Sequence, residues 1–143
     1  MSDGPELLRR FWQAWEDREG QALVERFDEF FTEDVEWRPP MRELTDPLYS
    51  GREGIEQYVS DVSHVISDLR TELEAIEEIA PDVYRATVHM QGEGKVSGVT
   101  LDAQMIAIAR LRNGKIAQAW ASYDPEAAER AAWAIVHGEK VPA

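Results

Sequence analysis

The dipeptide Asn113-Gly114 constrains this chain more than any other feature. It separates two apolar-rich runs inside Val99 to Asp124, VTLDAQMIAIARLRNGKIAQAWASYD. Asn-Gly favours a type I′ turn, which needs positive φ at both central residues, so the stretch reads as a long β-hairpin. Side chains alternate along a strand. One face of the first strand therefore carries Ala103, Met105, Ala107, Ala109 and Leu111, and the other Asp102, Gln104, Ile106, Ile108 and Arg110. On the second strand Ala117, Ala119, Ala121 and Tyr123 share a face, opposite Ile116, Gln118, Trp120 and Ser122. Alanine is a poor strand former, and a close-packed core wants volume there. A concave sheet face built from alanine leaves room for a guest.

The rest of the chain supplies what must cover such a sheet. Gly4-Pro5 opens a helix with proline at its first position. Leu7, Leu8, Phe11, Trp12 and Trp15 then form one apolar stripe. After Gly20 a second helix carries Ala22, Leu23, Phe27, Phe30 and Phe31 inside, and Thr32-Glu33-Asp34 leads into a short strand, Val35 to Arg38, stopped by Pro39-Pro40. Met41 to Ser50 reads as a loop with a turn at Asp46-Pro47. A third helix starts near Arg52, turns Ile55, Tyr58, Val59, Val62 and Ile66 inward, and fades at Ser67-Asp68. From Arg70 to Ile79 the period shifts towards two and a strand is expected, with helix as the competing reading because Glu, Leu and Ala favour it. Val83 to Gln91 is a clearer strand, with Tyr84, Ala86, Val88 and Met90 on one side and Arg85, Thr87, His89 and Gln91 on the other. Gly92 to Gly98 is a glycine-punctuated connection. After the hairpin, Asp124-Pro125 caps a last helix that ends at His137-Gly138.

Three helices, a mostly antiparallel sheet and a short final helix make an α+β fold. The chain is expected to be one domain over residues 1–143. With no cysteine there is neither a disulfide nor a thiolate zinc site. A net charge of −13 argues against nucleic acid and anionic membranes as partners. No apolar run approaches the roughly 20 residues of a membrane span, and the acidic, amphipathic N-terminus is unlike a secretory signal. A cytoplasmic location is expected.

Several motifs carry a resemblance. Asp34-Val35-Glu36-Trp37, Tyr49-Ser50-Gly51-Arg52-Glu53-Gly54-Ile55, Gly94-Lys95-Val96-Ser97-Gly98-Val99, Asn113-Gly114-Lys115-Ile116 and Tyr123-Asp124 fall in this order over nearly the whole chain. Together they resemble the nuclear transport factor 2-like superfamily, and within it the SnoaL-like polyketide cyclase domains. The resemblance implies a curved, mostly antiparallel sheet wrapped around N-terminal helices, a cone or α+β barrel of cystatin-like topology. It also implies a deep pocket between the concave face and the helices, and a homodimer through the outer sheet face. The superfamily holds cyclases, isomerases, dehydratases and hydrolases as well as non-catalytic binding and dimerisation modules, so fold alone does not name an activity.

An acid–base enzyme of this shape needs a carboxylate, histidine or tyrosine whose pKa is moved by burial. The candidate catalytic groups are Asp34, His89 and Tyr123. Asp34 reads either as a base at the pocket mouth or as a turn carboxylate. His89 titrates near neutrality, but with Val88 and Met90 facing the pocket it points away. The opposite registration, with His89, Gln104, Trp120 and Ser122 inward, stays open, because one bulge swaps part of a strand's facing. Asp102 reads as solvated and Asp124 as a helix cap. Candidate ligand-binding residues are Trp37, Tyr49, Tyr58, Met90, Met105, Ala107, Ala109, Ala119 and Ala121. Positions that carry polar catalytic groups in some relatives are alanine here. No metal and no cofactor are expected: the histidines are far apart, and the glycines lack the order of a phosphate loop. Two functions follow. One is an apolar-ligand-binding domain with cofactor-independent cyclase or isomerase chemistry. The other is a non-catalytic ligand-binding or dimerisation module.

Overall fold

Asn113 and Gly114 both have positive φ, 53° and 75°, and close the hairpin the sequence predicts. In a computed structural model, which describes residues 4–16, 20–39, 48–95 and 98–139, the helices are α1 (Gly4–Glu16), α2 (Gln21–Glu25), α3 (Phe27–Phe30), α4 (Gly51–Val65) and α5 (Pro125–Val136). The strands are β1 (Phe31–Arg38), β2 (Tyr49–Ser50), β3 (Ile66–Ala80), β4 (Val83–Gly94), β5 (Thr100–Arg112) and β6 (Lys115–Ser122). They form one curved sheet in the order β2-β1-β6-β5-β4-β3. Among the described strands only β1 and β6 run parallel.

The register puts the small residues together. Ala107 pairs with Ala121 and Ala109 with Ala119 across the hairpin. Ala86 of β4 pairs with Ala107, and Trp37 of β1 with Ala119. This face is concave and packs against Leu8, Phe11, Trp12 and Trp15 of α1 and Ile55, Tyr58, Val59 and Val62 of α4. The convex side has its own apolar cluster, in which Val83 and Ile108 lie under Ala131, Ala132 and Ile135 of α5, with Ile106 and Trp120 at its edge. The surface expected to meet a second copy is thus partly occupied by the chain's own last helix. Among the described residues Val99, Trp133 and Val136 are the large hydrophobic side chains left exposed.

Local chemistry explains the joints. Gly51 has φ +68 and lets β2 turn directly into α4, and at Gly54 a Cβ would lie 2.8 Å from the Tyr49 carbonyl carbon. Only glycine allows the helix so close to the strand that feeds it. Asp124 accepts from the Glu126 backbone N–H at 3.0 Å and Pro125 takes the first turn of α5. Gly138, at φ 69°, follows its end.

Five boundaries differ from the sequence reading. Phe31 begins β1 instead of ending a helix, because it pairs with Ile116 of β6. The second helix is two short ones that meet at Arg26. Ile66 opens β3, which is a strand throughout, with Asp68 at φ 53° marking an early irregularity. β4 runs on to Gly94, three residues into the expected connection. Tyr49–Ser50 is a short strand paired with Glu36 and Trp37. The turn expected at Asp46-Pro47 lies outside the described residues.

Candidate functional site: an alanine-floored cavity

The alanine patch does floor a void. Ala86, Ala107, Ala109 and Ala119 line it from the sheet; Leu8, Phe11 and Trp12 cover it from α1; Phe31, Val35, Trp37 and Ile116 close its sides. Its volume is about 20 Å³, room for little more than one water. Organic ligands occupy pockets of roughly 300–1,000 Å³, so the cavity is contracted. A second void of about 10 Å³ lies among Phe11, Trp15, Leu23, Phe31, Trp37, Ile55 and Tyr58. Phe11, Phe31 and Trp37 line both, so these three rings partition what would otherwise be one larger space.

Polar atoms near this space are few. Tyr58 meets Trp15, Trp37 and Tyr49 with ring centroids 5.3, 5.5 and 5.2 Å away. Burial pushes its hydroxyl well above the ordinary phenol value; the nearby Trp37 indole opposes the shift, while Tyr123 and Tyr49 add to it. Tyr58 therefore keeps its proton and can act as a hydrogen-bond donor. Tyr49 is buried and donates its hydroxyl proton to Asp61 Oδ2 at 2.7 Å. The Nε1 atoms of Trp12 and Trp37 are buried and make no hydrogen bond of normal geometry among the described residues.

The candidate acid–base groups lie elsewhere. Asp34 projects from β1 into solvent, where the Thr32 hydroxyl and then the Arg112 guanidinium hold its carboxyl below the usual range. Its side chain is 69% exposed. His89 faces the convex side and bonds to Asp102; that hydrogen bond, against a smaller desolvation effect, raises its pKa, helped by the charges of Asp102, Glu74 and Glu72. Tyr123 is half-buried and packs on the main core. The structure thus brings Trp37, Ala107, Ala109 and Ala119 together on one cavity and Tyr58 onto its neighbour. Met90, Met105 and Ala121 are buried in the same core but outside the residues that line either void. Neither Asp34 nor His89 joins them.

Sequence reasoning left Ala86, Leu8, Phe11, Trp12, Phe31, Val35 and Ile116 out of the site. Ala86 had a signal, since it shares the inward face of β4 with Val88. Aromatic helix residues at helical spacing look the same whether they fill a core or roof a cavity. Among the described residues no three His, Asp or Glu side chains gather in a way that could hold a metal ion. No described helix is long and apolar enough to cross a membrane.

Residues 8–130 match the family model of the SnoaL-like domain. The chain belongs to the SnoaL-like domain family. No curated protein matches it in sequence. Among solved structures it is similar to a Catenulispora acidiphila protein with a ketosteroid isomerase-like fold, in complex with trimethylamine, at 17% identity over 96% of this chain and 95% of that one, TM-score 0.70. It is similar to TerC, co-crystallised with polyporic acid, at 19% identity over 87% and 93% of the two chains, TM-score 0.71. A protein from Jannaschia assigned as a SnoaL-like polyketide cyclase matches at 13% identity over 82% and 83%, TM-score 0.67. At these identities the SnoaL-like chain shares the fold of its neighbours, and its chemistry must be argued from its own residues.

Proposed function

We propose that this SnoaL-like chain is a small-molecule-binding domain that holds an apolar compound against Ala86, Ala107, Ala109 and Ala119, and that binding, not acid–base turnover by Asp34 or His89, is its work. The observation that carries the reading is the floor itself. Four methyl groups from three adjacent strands meet under four aromatic rings, Phe11, Trp12, Phe31 and Trp37, around a void. A core selected only for stability would fill that floor with Leu or Ile. The candidate acid–base groups, His89 and Asp34, lie outside the cavity, with side chains 31% and 69% exposed. The co-crystallisation of TerC with polyporic acid supports a ligand role for the fold.

Binding requires the cavity to grow. The two voids together fall about tenfold short of a ligand pocket, so binding needs Phe11 or Trp37 to swing out of the core, and the ligand selects that rarer arrangement at the cost of its low population. Tyr58 then offers its hydroxyl as a donor to a polar tip of the ligand.

The test is native mass spectrometry of the purified chain for a co-purified compound, followed by its rebinding to Asp34→Asn, His89→Ala and Tyr58→Phe. Rebinding that survives in the first two variants and weakens in the third supports the reading. Turnover of the compound that stops in Asp34→Asn or His89→Ala refutes it.

A further inference from the structure

A second, open groove lies on the surface between α1 and β3. Its volume is about 350 Å³, and its walls include Arg9, Trp12 and Gln13 from the helix and Thr71, Leu73 and Glu74 from the strand. Trp12 is the one residue that lines both this groove and the alanine cavity. The residue therefore stands between the open groove and the buried floor.

Three observations bear on what that partition does. The Trp12 carbonyl accepts a hydrogen bond from the Thr71 hydroxyl at 3.1 Å, which ties the helix backbone to the edge strand at this residue. The backbone is held at this residue, so an opening here is a turn of the side chain about χ1 and χ2. The ring is 5% exposed, stands edge-on to Phe11 with centroids 4.8 Å apart, and keeps its Nε1 buried without an acceptor among the described residues. A buried donor left unpaired makes the closed position less favourable than burial alone would suggest. An indole N–H can donate and cannot accept, so only an acceptor atom can complete it. The groove opens to solvent beside Arg9, and the cavity behind it is apolar. An ion would lose its hydration on passing from one to the other.

We infer that the groove between α1 and β3 is the entrance to the alanine cavity, that the Trp12 side chain is its movable wall, and that the ligand is a neutral apolar molecule carrying a hydrogen-bond acceptor, such as a carbonyl oxygen, which the Trp12 N–H takes. This rests on the binding role proposed above and adds a route and a ligand class to it.

Nile red, neutral and apolar with a carbonyl oxygen, serves as the probe in stopped-flow fluorescence with the full chain. Trp12→Ala removes the wall and should speed association by about tenfold, while Gln13→Trp, at an exposed position on the groove, should slow it by a similar factor. Circular dichroism checks that each variant is folded; Gln13→Trp changes a surface residue and keeps the test decisive if Trp12→Ala does not fold. Trp12→Phe keeps most of the wall and should weaken Nile red by about fivefold, the worth of one neutral hydrogen bond, with pyrene, which has no acceptor, unaffected. Association rates unchanged in Gln13→Trp and in any folded Trp12→Ala, with Nile red still bound, overturn the route alone. Equal losses of Nile red and pyrene in Trp12→Phe overturn the ligand class. Absence of any Nile red binding to the parent chain overturns the binding role and the route with it.

Discussion

Ala109→Val asks directly whether the alanine floor is spare volume kept for a guest. Ala109 lines the void of about 20 Å³ and faces Ala119 across the hairpin. That volume takes little more than one water, so it accepts only part of the two methyl-sized groups that valine adds. Burying them contributes at most about 1.6 kcal/mol at 0.8 kcal/mol per group. Imperfect fit in a nearly closed cavity offsets part of this gain. Valine also suits a strand better than alanine. The expected net effect is a stabilisation of about 0.5–1 kcal/mol, a rise in Tm of about 1–4 °C for a chain of this size. The same substitution should abolish or strongly weaken the binding of an apolar probe, because the ligand would have to lie where the new methyl groups stand. Thermal and urea unfolding measure the first effect and probe titration the second. A loss of more than about 1 kcal/mol would mean that the floor is already packed to density, and undiminished binding would mean that ligands lie elsewhere; either result refutes the reasoning.

His89 is held above its ordinary pKa of 6.5 by Asp102. A raised pKa means that the pair's contribution to stability is full below pH about 6.5 and is lost as the pH rises through the folded value. An imidazole NMR titration should show that value fall in Asp102→Asn, and an unchanged titration would contradict the pairing. Asp34 has the opposite sign: its lowered pKa gives stability present above the usual carboxylate range and lost on acidification. Asp34→Asn should therefore flatten the acid limb of the unfolding curve without altering probe affinity, and reduced affinity would return Asp34 to the site. Gly54→Ala places a Cβ 2.8 Å from Tyr49 backbone; despite the helix propensity of alanine it should destabilise by about 1–3 kcal/mol, which urea unfolding measures, and a stabilised variant would refute the close approach.

The hairpin was legible because its information is local. Asn113-Gly114 sets the turn, and period-two alternation sets which residues share a face. Asp124-Pro125 and Gly138 announce the ends of the last helix for the same reason. Phe31 was not legible in this way. It continues the aromatic stripe of Phe27 and Phe30, and what turns it into a strand is its pairing with Ile116, eighty-five residues further along the chain. Ile66 fits the inward face of α4 as well as the start of β3, and only pairing with Gly94 decides between them. For the site, the alanines marked a shallow face, but no local pattern tells how far rings from α1 and β1 lean into it. The contraction of the cavity is set by Phe11 of α1 meeting Phe31 and Trp37 of β1. The covering of Ile108 by α5 is likewise a matter of docking, invisible in the helix's own sequence.

The most direct test of the binding role is an NMR titration of the chain carrying ¹³C-labelled alanine methyl groups with an apolar probe. The signals of Ala86, Ala107, Ala109 and Ala119 should shift together and saturate at one affinity, with those of Ala131, Ala132 and Ala134 on α5 unmoved. Shifts confined to the α5 methyls, or no shifts at probe concentrations that saturate its fluorescence, would contradict the claim that the concave alanine floor is where a guest sits.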